Sequence, residues 1–548
     1  MCEVGYNSHC PGAFRPIGYE HSTMASHPYL LLFAALYFVA LLAVGVLAGR
    51  TKRNSNQYLN ATAALPLWVS IAACVAANCG SLEVVAMMAL GAQYGMMACH
   101  FYWIGAIPPL LAVAFWLLPA YAKRGYQSVP DLIEDCYGRP TRSLAAFCMA
   151  AMMMLLAGVC LCAVAQVLTA YLGWSFLAGV LLCAPLVLVY TWMGGFRATV
   201  YTELLHFSVV LATVVPLFLL MLHSFGGLPR WLAALPPDRL HTWKTLPLLD
   251  PHAPLDRFGI FVGLSLVLSF AFWSTDFIQM QRALAVRRRD RVALVPLSVA
   301  TSKIFFAFVI VLPGVTAPLV LNYGGRIGWS QTLPALLIHY FAPAWVGLGS
   351  MGLAASLLST FANNVEGFTS VWVQSIYQAW LNPHKSDAHY LRVGQFSNAA
   401  AVVGSIGAAY LTLTFQSLME YIQMVLAIFN APLFALVILA AFLPARVYRG
   451  GLKGLGAGLG AAVVHQILLN TGVLHYGSRL AADFYGAIYC FALTLLAVLI
   501  FHRLETAQPR AASRVRVPKG VQLQLTPLTA AWGTLLAAAF AFLTVTFW

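Results

Sequence analysis

The sequence predicts an all-α polytopic membrane protein of about fourteen transmembrane helices. Three observations carry that reading. The 548 residues are 61% hydrophobic and 9% charged, where a soluble chain of this length carries roughly a quarter charged residues. The apolar residues lie in runs long enough to cross a hydrocarbon core of about 30 Å, which takes about 20 helical residues. Those runs, 144–171 and 527–547 among them, lack the alternation of a membrane β-barrel strand.

The runs are taken in order. A polar tail, 1–27, precedes a leading span at 28–49, which is too long and too poorly flanked by positive charge for a cleaved signal peptide. Spans follow at 66–94, 100–121, 144–171, 173–192, 199–222, 257–280, 293–321, 345–377, 394–414, 419–443, 453–473, 482–502 and 527–547. The apolar stretch 332–344 is too short to cross and reads as an extracytoplasmic helix lying on the protein. Eleven cysteines are scattered, mostly inside apolar runs, with no metal spacing; only Cys2 and Cys10 sit close enough in a polar tail to suggest a disulfide.

Charge supports the count and sets the orientation. A net charge of +14 would suit nucleic acid only if gathered in one patch, and here it punctuates the gaps between spans. Gaps following odd-numbered spans hold 23 of the 31 Lys and Arg residues, and gaps following even-numbered spans hold six. Basic gaps face the cytoplasm, so both termini are expected outside, in a plasma membrane or, for a bacterium, the inner membrane. Arg282, Arg287, Arg288, Arg289 and Arg291 form the densest of these gaps.

Acids inside spans are costly and mark functional positions. Glu83, Glu203, Asp276, Glu366 and Glu420 qualify, as does the base Lys303. Helix irregularity points to the same places. Ala76-Ala77-Asn78-Cys79-Gly80-Ser81 weakens the second span midway, and Ser269 with Phe272 through Asp276 interrupts the seventh. Broken helices expose carbonyls and helix ends that coordinate ions in transporters built from repeated halves. Each irregular helix begins a run of five spans, 66–222 and 257–443, and an odd number of spans forces the second copy to be inverted; three spans, 453–548, trail. On the ninth span Ser356, Ser359 and Thr360 share one face, a hydroxyl surface that suits sodium or, equally, interhelical hydrogen bonding.

These stretches make the chain resemble the sodium:solute symporter family over roughly 28–502. The most specific pieces are Tyr190 through Arg197 running into Tyr201-Thr202-Glu203, and Trp273 through Asp276 followed by Gln281-Arg282-Ala283-Leu284-Ala285. Leu312-Pro313-Gly314, Ser359-Thr360, Ser375-Ile376-Tyr377 and Ser128-Val129-Pro130-Asp131 add to them in order. The resemblance implies a LeuT-like inverted-repeat fold. It implies sodium held by the carbonyls of Ala76, Cys79 and Ser356 and the hydroxyls of Ser359 and Thr360. Glu203 takes the place of an acid near the sodium exit route, and Lys303 that of a lysine in sugar-transporting relatives.

The substrate pocket matches that family less well. Glu83 stands where sugar transporters have Gln or His, and Tyr102 and Gly105 where a relative has Glu and Ser. Asn78, Glu83, His100, Tyr102, Trp103, Trp273, Asp276 and Lys303 are the substrate-binding candidates. Glu83 either accepts hydrogen bonds from substrate hydroxyls, pairs with a cationic nitrogen of the substrate, or pairs with Lys303 or His100 and never touches it. The expected function is sodium-coupled import of a small polar solute, a sugar or polyol or an amine or zwitterion, by alternating access. Rival readings are proton coupling through Glu83 or Glu203, and a transporter-like membrane sensor. No nucleophile or metal constellation suggests an enzyme. Sodium is the only metal expected, with no organic cofactor and no nucleic-acid partner; oligomeric state is left open.

Overall fold

The computed structural model describes residues 66–548 except 125, 127, 287–290, 322–327, 416, 443–449 and 506–525, together with Leu36, Val39 and Ala43. The tail 1–27, with Cys2 and Cys10, and nearly all of the leading span 28–49 lie outside the described residues, as do Arg287, Arg288 and Arg289.

Among the described residues the regular structure is helical, as a lipid environment requires of a chain that must satisfy its backbone within each segment. Nine helices are long and apolar enough to cross a membrane, ten if one bent pair is a single span, and three more apolar helices are shorter. Among the described residues, which leave out nearly all of the leading span, the count of about fourteen is therefore not reached by length and composition. Part of the shortfall is physical: helices interrupted midway leave pieces too short to cross on their own. Another part is Asp387–Thr412, a 26-residue helix at the position of the tenth span, which is not among the nine.

The pieces that position the site are labelled in chain order. The second span is split into α1, Leu67–Asn78, and α2, Ser81–Tyr94, followed by a 3-10 turn at Gly95–Phe101. Then come α3, Ile107–Tyr121, α4, Arg139–Leu172, and α5, Phe176–Ser224. Helical geometry is unbroken through α5, so the gap read at 193–198 is not a loop, even though Gly194 and Gly195 are poor helix formers. The seventh span is split into α6, Gly259–Thr275, and α7, which starts at Phe277, with a 52° bend between them. After these lie α8, Leu294–Val320, α9, Thr332–Tyr340, and α10, Pro343–Val371. The last five are α11, Asp387–Thr412, α12, Leu418–Phe442, α13, Gly451–Asn470, α14, Arg479–Glu505, and α15, Pro527–Thr546.

Stretch 332–344 contains α9, nine residues long with Leu333, Leu336 and Leu337 buried, and it packs against α2. The centre of the bundle is α4 and α10, which pack on each other and on α5. α2 and α8 approach closely because Gly91 and Gly314 face each other's backbones: a Cβ on Gly314 would collide with the Met88 carbonyl, and one on Gly91 would sit 2.8 Å from the Val311 carbonyl. Nine of the eleven cysteines are described; all nine are free and buried, consistent with small packing residues. α15 lies at the periphery, with Leu535, Phe542 and Val545 exposed toward lipid.

Candidate functional site

Both interruptions face one cavity of ≈ 220 Å³, lined by residues of α1, α2, α6, α7, α8, α10 and α12. The first interruption is Cys79-Gly80. Cys79 leaves helical geometry with φ −111° and ψ 36°, and Gly80 is extended with φ −74° and ψ 175°. Asn78, Cys79 and Gly80 all disfavour a helix interior relative to alanine, which explains why the apolar run stops there. The second is Asp276, whose backbone is extended and whose carboxylate accepts a hydrogen bond from the Gln279 amide at 2.7 Å. Asp276 is thus the N-cap that starts α7, and its carboxylate also borders the cavity.

Of the ion-site candidates, the Ala76 carbonyl and the Thr360 hydroxyl come together at Gly80, joined by the Ser356 hydroxyl rather than its carbonyl. A Cβ built on Gly80 would lie 3.2 Å from Thr360 Oγ1, 3.6 Å from Ser356 Oγ and 3.6 Å from the Ala76 carbonyl oxygen. Three oxygens from α1 and α10 therefore surround a point that only glycine leaves open. Ser356 Oγ already accepts from the Ser81 amide at 3.0 Å, and Thr360 Oγ1 donates to the Ser356 carbonyl at 3.1 Å. Ser359 Oγ is buried with no hydrogen-bond partner. Cys79 is fully buried, its sulfur 4.0 Å from Ser302 Oγ. The uncharged hard oxygens around Gly80, one carbonyl and two hydroxyls, are of the kind that suits a monovalent cation. Gly80 reads from sequence as a helix breaker alone, and its place among these oxygens is visible only in the fold.

The substrate candidates divide. Asn78, Glu83, Trp273, Asp276 and Lys303 line the cavity. The Lys303 ammonium meets Glu83 Oε1 at 2.5 Å and the Asn78 carbonyl at 3.4 Å, and lies over the rings of Tyr102 and Trp273 at 5.0 and 5.7 Å. Of the three readings of Glu83, the structure shows the pairing with Lys303, and not with His100. Glu83 Oε2 and the Asn78 amide nitrogen have no hydrogen-bond partner. Trp273 is held by its indole N–H, which donates to the Gly105 carbonyl at 3.0 Å.

His100, Tyr102 and Trp103 do not line the cavity. His100 Nε2 is hydrogen-bonded to the Thr242 carbonyl at 2.9 Å, and Trp103 packs on Phe308 and Phe547. His100 sits in the 3-10 turn after α2 and faces the loop 225–258, while Trp103, just past that turn, faces α8 and the chain's last residues. Tyr102 touches the site only at one remove, its ring lying against the Lys303 ammonium. Ser269 and Phe272, picked out in the irregular seventh span, line the cavity too, whereas Gln423 and Phe101, which also line it, were missed from sequence; a lone glutamine near a span end carries no signal above packing. Asn364 also lines it, with its side chain donating to the Thr360 carbonyl at 2.9 Å.

Glu203 lies apart from the cavity lining and is fully engaged. Arg282 donates to it twice, Nε to Oε2 at 2.9 Å and Nη2 to Oε1 at 2.6 Å, and the Asn363 amide donates to Oε1. Arg282, counted from sequence as a cytoplasmic-gap residue, is buried at 2% exposure. Its burial has a simple cause: α7 continues past the break at Asp276 and carries Arg282 to Glu203 on α5.

A model of the sodium:solute symporter family matches residues 58–458. The sodium/glucose cotransporter of Vibrio parahaemolyticus is 23% identical over 470 residues, 78% of this chain and 83% of that one. Sodium/glucose cotransporter 2 of Rattus norvegicus is 24% identical over 527 residues, 87% and 78% of the two chains. In three dimensions the fold is similar to a substrate-bound, outward-open Na+-coupled sialic acid symporter, with a TM-score of 0.71 at 17% identity, covering 89% of this chain and 99% of that one. A nucleobase-cation-symport-1 family transporter in a closed conformation follows at 0.52 and 13%, covering 84% and 98%. The architecture is thus that of LeuT-like transporters.

Proposed function

The chain belongs to the sodium:solute symporter family, a multi-pass membrane transporter rather than an enzyme, and from that premise we propose that it imports a small polar solute, neutral or zwitterionic, together with sodium. The observation that carries this reading is the cradle at Gly80, where the Ala76 carbonyl and the Ser356 and Thr360 side-chain oxygens surround one point beside the cavity. Sodium there would bridge α1 and α10 across the break, and solute would bind alongside against Glu83, Lys303 and Trp273. Ion and solute that favour the same state are coupled without touching. The inward sodium gradient then drives uptake as the outer side closes and the inner side opens, with residues 66–222 and 257–443 acting as inverted repeats and both chain ends outside.

Charge narrows the solute. Glu83 is already neutralised by Lys303, so no free carboxylate at that position awaits a cationic amine. What the wall offers is unpartnered hydrogen-bonding atoms, Glu83 Oε2, Asn78 Nδ2 and Gln423 Oε1, beside the faces of Phe272 and Trp273. That combination suits hydroxyls and a ring or apolar face, as in a sugar or polyol, or a zwitterion that brings both charges. The pairing of Glu83 with Lys303 and of Glu203 with Arg282 also argues against either acid as a proton carrier, because each already has a cation on it.

The test is solute uptake by proteoliposomes at fixed pH under an inward sodium gradient or a choline control. Solutes are chosen beforehand by a thermal-shift screen of sugars, polyols, amino acids, organic acids and amines. Uptake that is equal in choline, or driven by a proton gradient alone, would overturn the sodium reading. Stabilisation by simple amines only would overturn the solute class.

A further inference from the structure

Two segments distant in sequence meet at the end of the bundle that the charge pattern places outside. The Thr242 amide and hydroxyl both donate to the Phe547 carbonyl, at 2.8 and 2.9 Å, and the Lys244 amide donates to the Trp548 carbonyl at 3.2 Å. The Phe547 ring packs on Trp103 at 5.5 Å and Phe308 at 5.9 Å. Trp548 lies beside Trp243 at 6.1 Å and beneath the Arg257 guanidinium at 5.9 Å. Thr242 is fully buried, so these are not the solvated contacts of an ordinary surface loop.

The same short segment grips both interrupted helices. Its Thr242 carbonyl is hydrogen-bonded to His100 Nε2 at 2.9 Å, and Trp243 lies 4.2 Å from the His100 ring, just beyond α2. Arg257, two residues before α6, donates to the carbonyls of Trp243 and Leu246 at 3.2 and 3.0 Å. The end of α15 is therefore tied, through residues 242–246, to the α2 and α6 halves of the two broken helices, which carry Glu83 and Trp273 into the cavity.

We propose that residues 242–244 and 547–548 form a strap that must part before the α2 and α6 halves can separate and open the cavity to the outside, with peripheral α15 as its fixed post. The inference rests on the transport cycle proposed above, but its geometry does not depend on the identity of ion or solute. Such a contact sets how readily the outer side opens, since the few hydrogen bonds that join it are the ones lost on opening. It also gives a role to His100 and Trp103, which the cavity does not use.

The experiment is a reversible tether across the strap. Lys244→Cys and Trp548→Cys are introduced with Cys2→Ser and Cys10→Ser, and the pair is joined by a short cleavable bis-maleimide in reconstituted protein. Hydrogen exchange is read at residues 95–103 and 259–268, and solute uptake is read in parallel, before and after the link is cut by reductant. Exchange of both segments is expected to slow by at least about ten-fold in the linked protein, the scale of one contact that no longer opens, and uptake to stop; both return on cleavage. Equal exchange in linked and cut protein, or full uptake while linked, would overturn the strap. If exchange responds but the cut protein shows no sodium-dependent uptake of any solute, the strap stands and the symport reading fails. Phe547→Ala, made without any tether, should speed exchange of the same two segments and leave α13 unchanged; no change at 95–103 would also overturn the proposal.

Discussion

Glu83 and Lys303 meet at 2.5 Å in the cavity wall, the carboxylate 20% exposed and the ammonium 4%. The pair joins α2, just beyond the first break, to α8, and Tyr102 and Trp273 sandwich the ammonium from two further elements. Lysine is seldom buried this deeply without such partners. The pair therefore sets both the shape and the net charge of the wall against which solute binds.

Breaking it from one side strands a charge. Glu83→Gln leaves Lys303 buried without its counterion and should cost about 3 kcal/mol of stability, and Lys303→Met should cost less because Glu83 keeps some access to water. The double variant should recover most of the loss in thermal unfolding of purified protein. Additive losses in the double variant would show that the two side chains are energetically independent. Solute affinity should fall in all three, because Glu83 lines the cavity.

The cradle at Gly80 makes a sharper prediction than the hydroxyls do. Thr360→Ala removes one ligand and should raise the half-saturating sodium concentration by about ten-fold, one hydrogen-bond-sized contribution. Gly80→Ala puts a methyl 3.2 Å from Thr360 Oγ1, inside the space an ion would take, and should raise it further. Uptake measured against sodium concentration at saturating solute separates the two. An unchanged sodium curve in Gly80→Ala would move the ion elsewhere.

Gln423 tests the solute side of the cavity independently. Its Oε1 has no hydrogen-bond partner and its side chain lines the cavity from α12. Gln423→Ala should raise the half-saturating solute concentration several-fold, as expected for losing one polar contact. Its sodium curve at saturating solute should stay in place. A shift in sodium alone would show that Gln423 belongs to the ion path.

How much of this was legible in the sequence depends on whether the signal is local. The two helix breaks were, because Asn78-Cys79-Gly80 and Ser274-Thr275-Asp276 announce themselves within a few residues. The shared face of Ser356 and Thr360 was, because helical spacing fixes it. Pairings across the bundle were not. Glu203 and Arg282 are 79 residues apart and meet only because α7 runs on past Asp276. The bond between Thr242 and Phe547 spans 305 residues and unites a loop with a helix end. His100, weighed as a partner for Glu83, and Trp103, expected among the lining aromatics, both lie off the cavity because their partners are distant in sequence: His100 bonds to the Thr242 carbonyl and Trp103 packs on Phe308 and Phe547.

The Glu203–Arg282 pair bears on how many ions move with each solute. Glu203 receives two guanidinium hydrogen bonds and one from Asn363, so its charge is spent on a tethered cation. A second sodium at Glu203 would have to displace Arg282 from a site where the guanidinium is 2% exposed, at a cost of several kcal/mol. Sodium activation should therefore be hyperbolic, and one charge should cross per neutral solute in current and isotope flux measured on the same proteoliposomes. Arg282→Lys keeps the charge but loses the two-pronged fork. It should destabilise the inner side and lower turnover while leaving solute affinity near wild type. Sigmoidal sodium activation in wild type that turns hyperbolic in Glu203→Gln would show instead that Glu203 gives up Arg282 to hold an ion during the cycle.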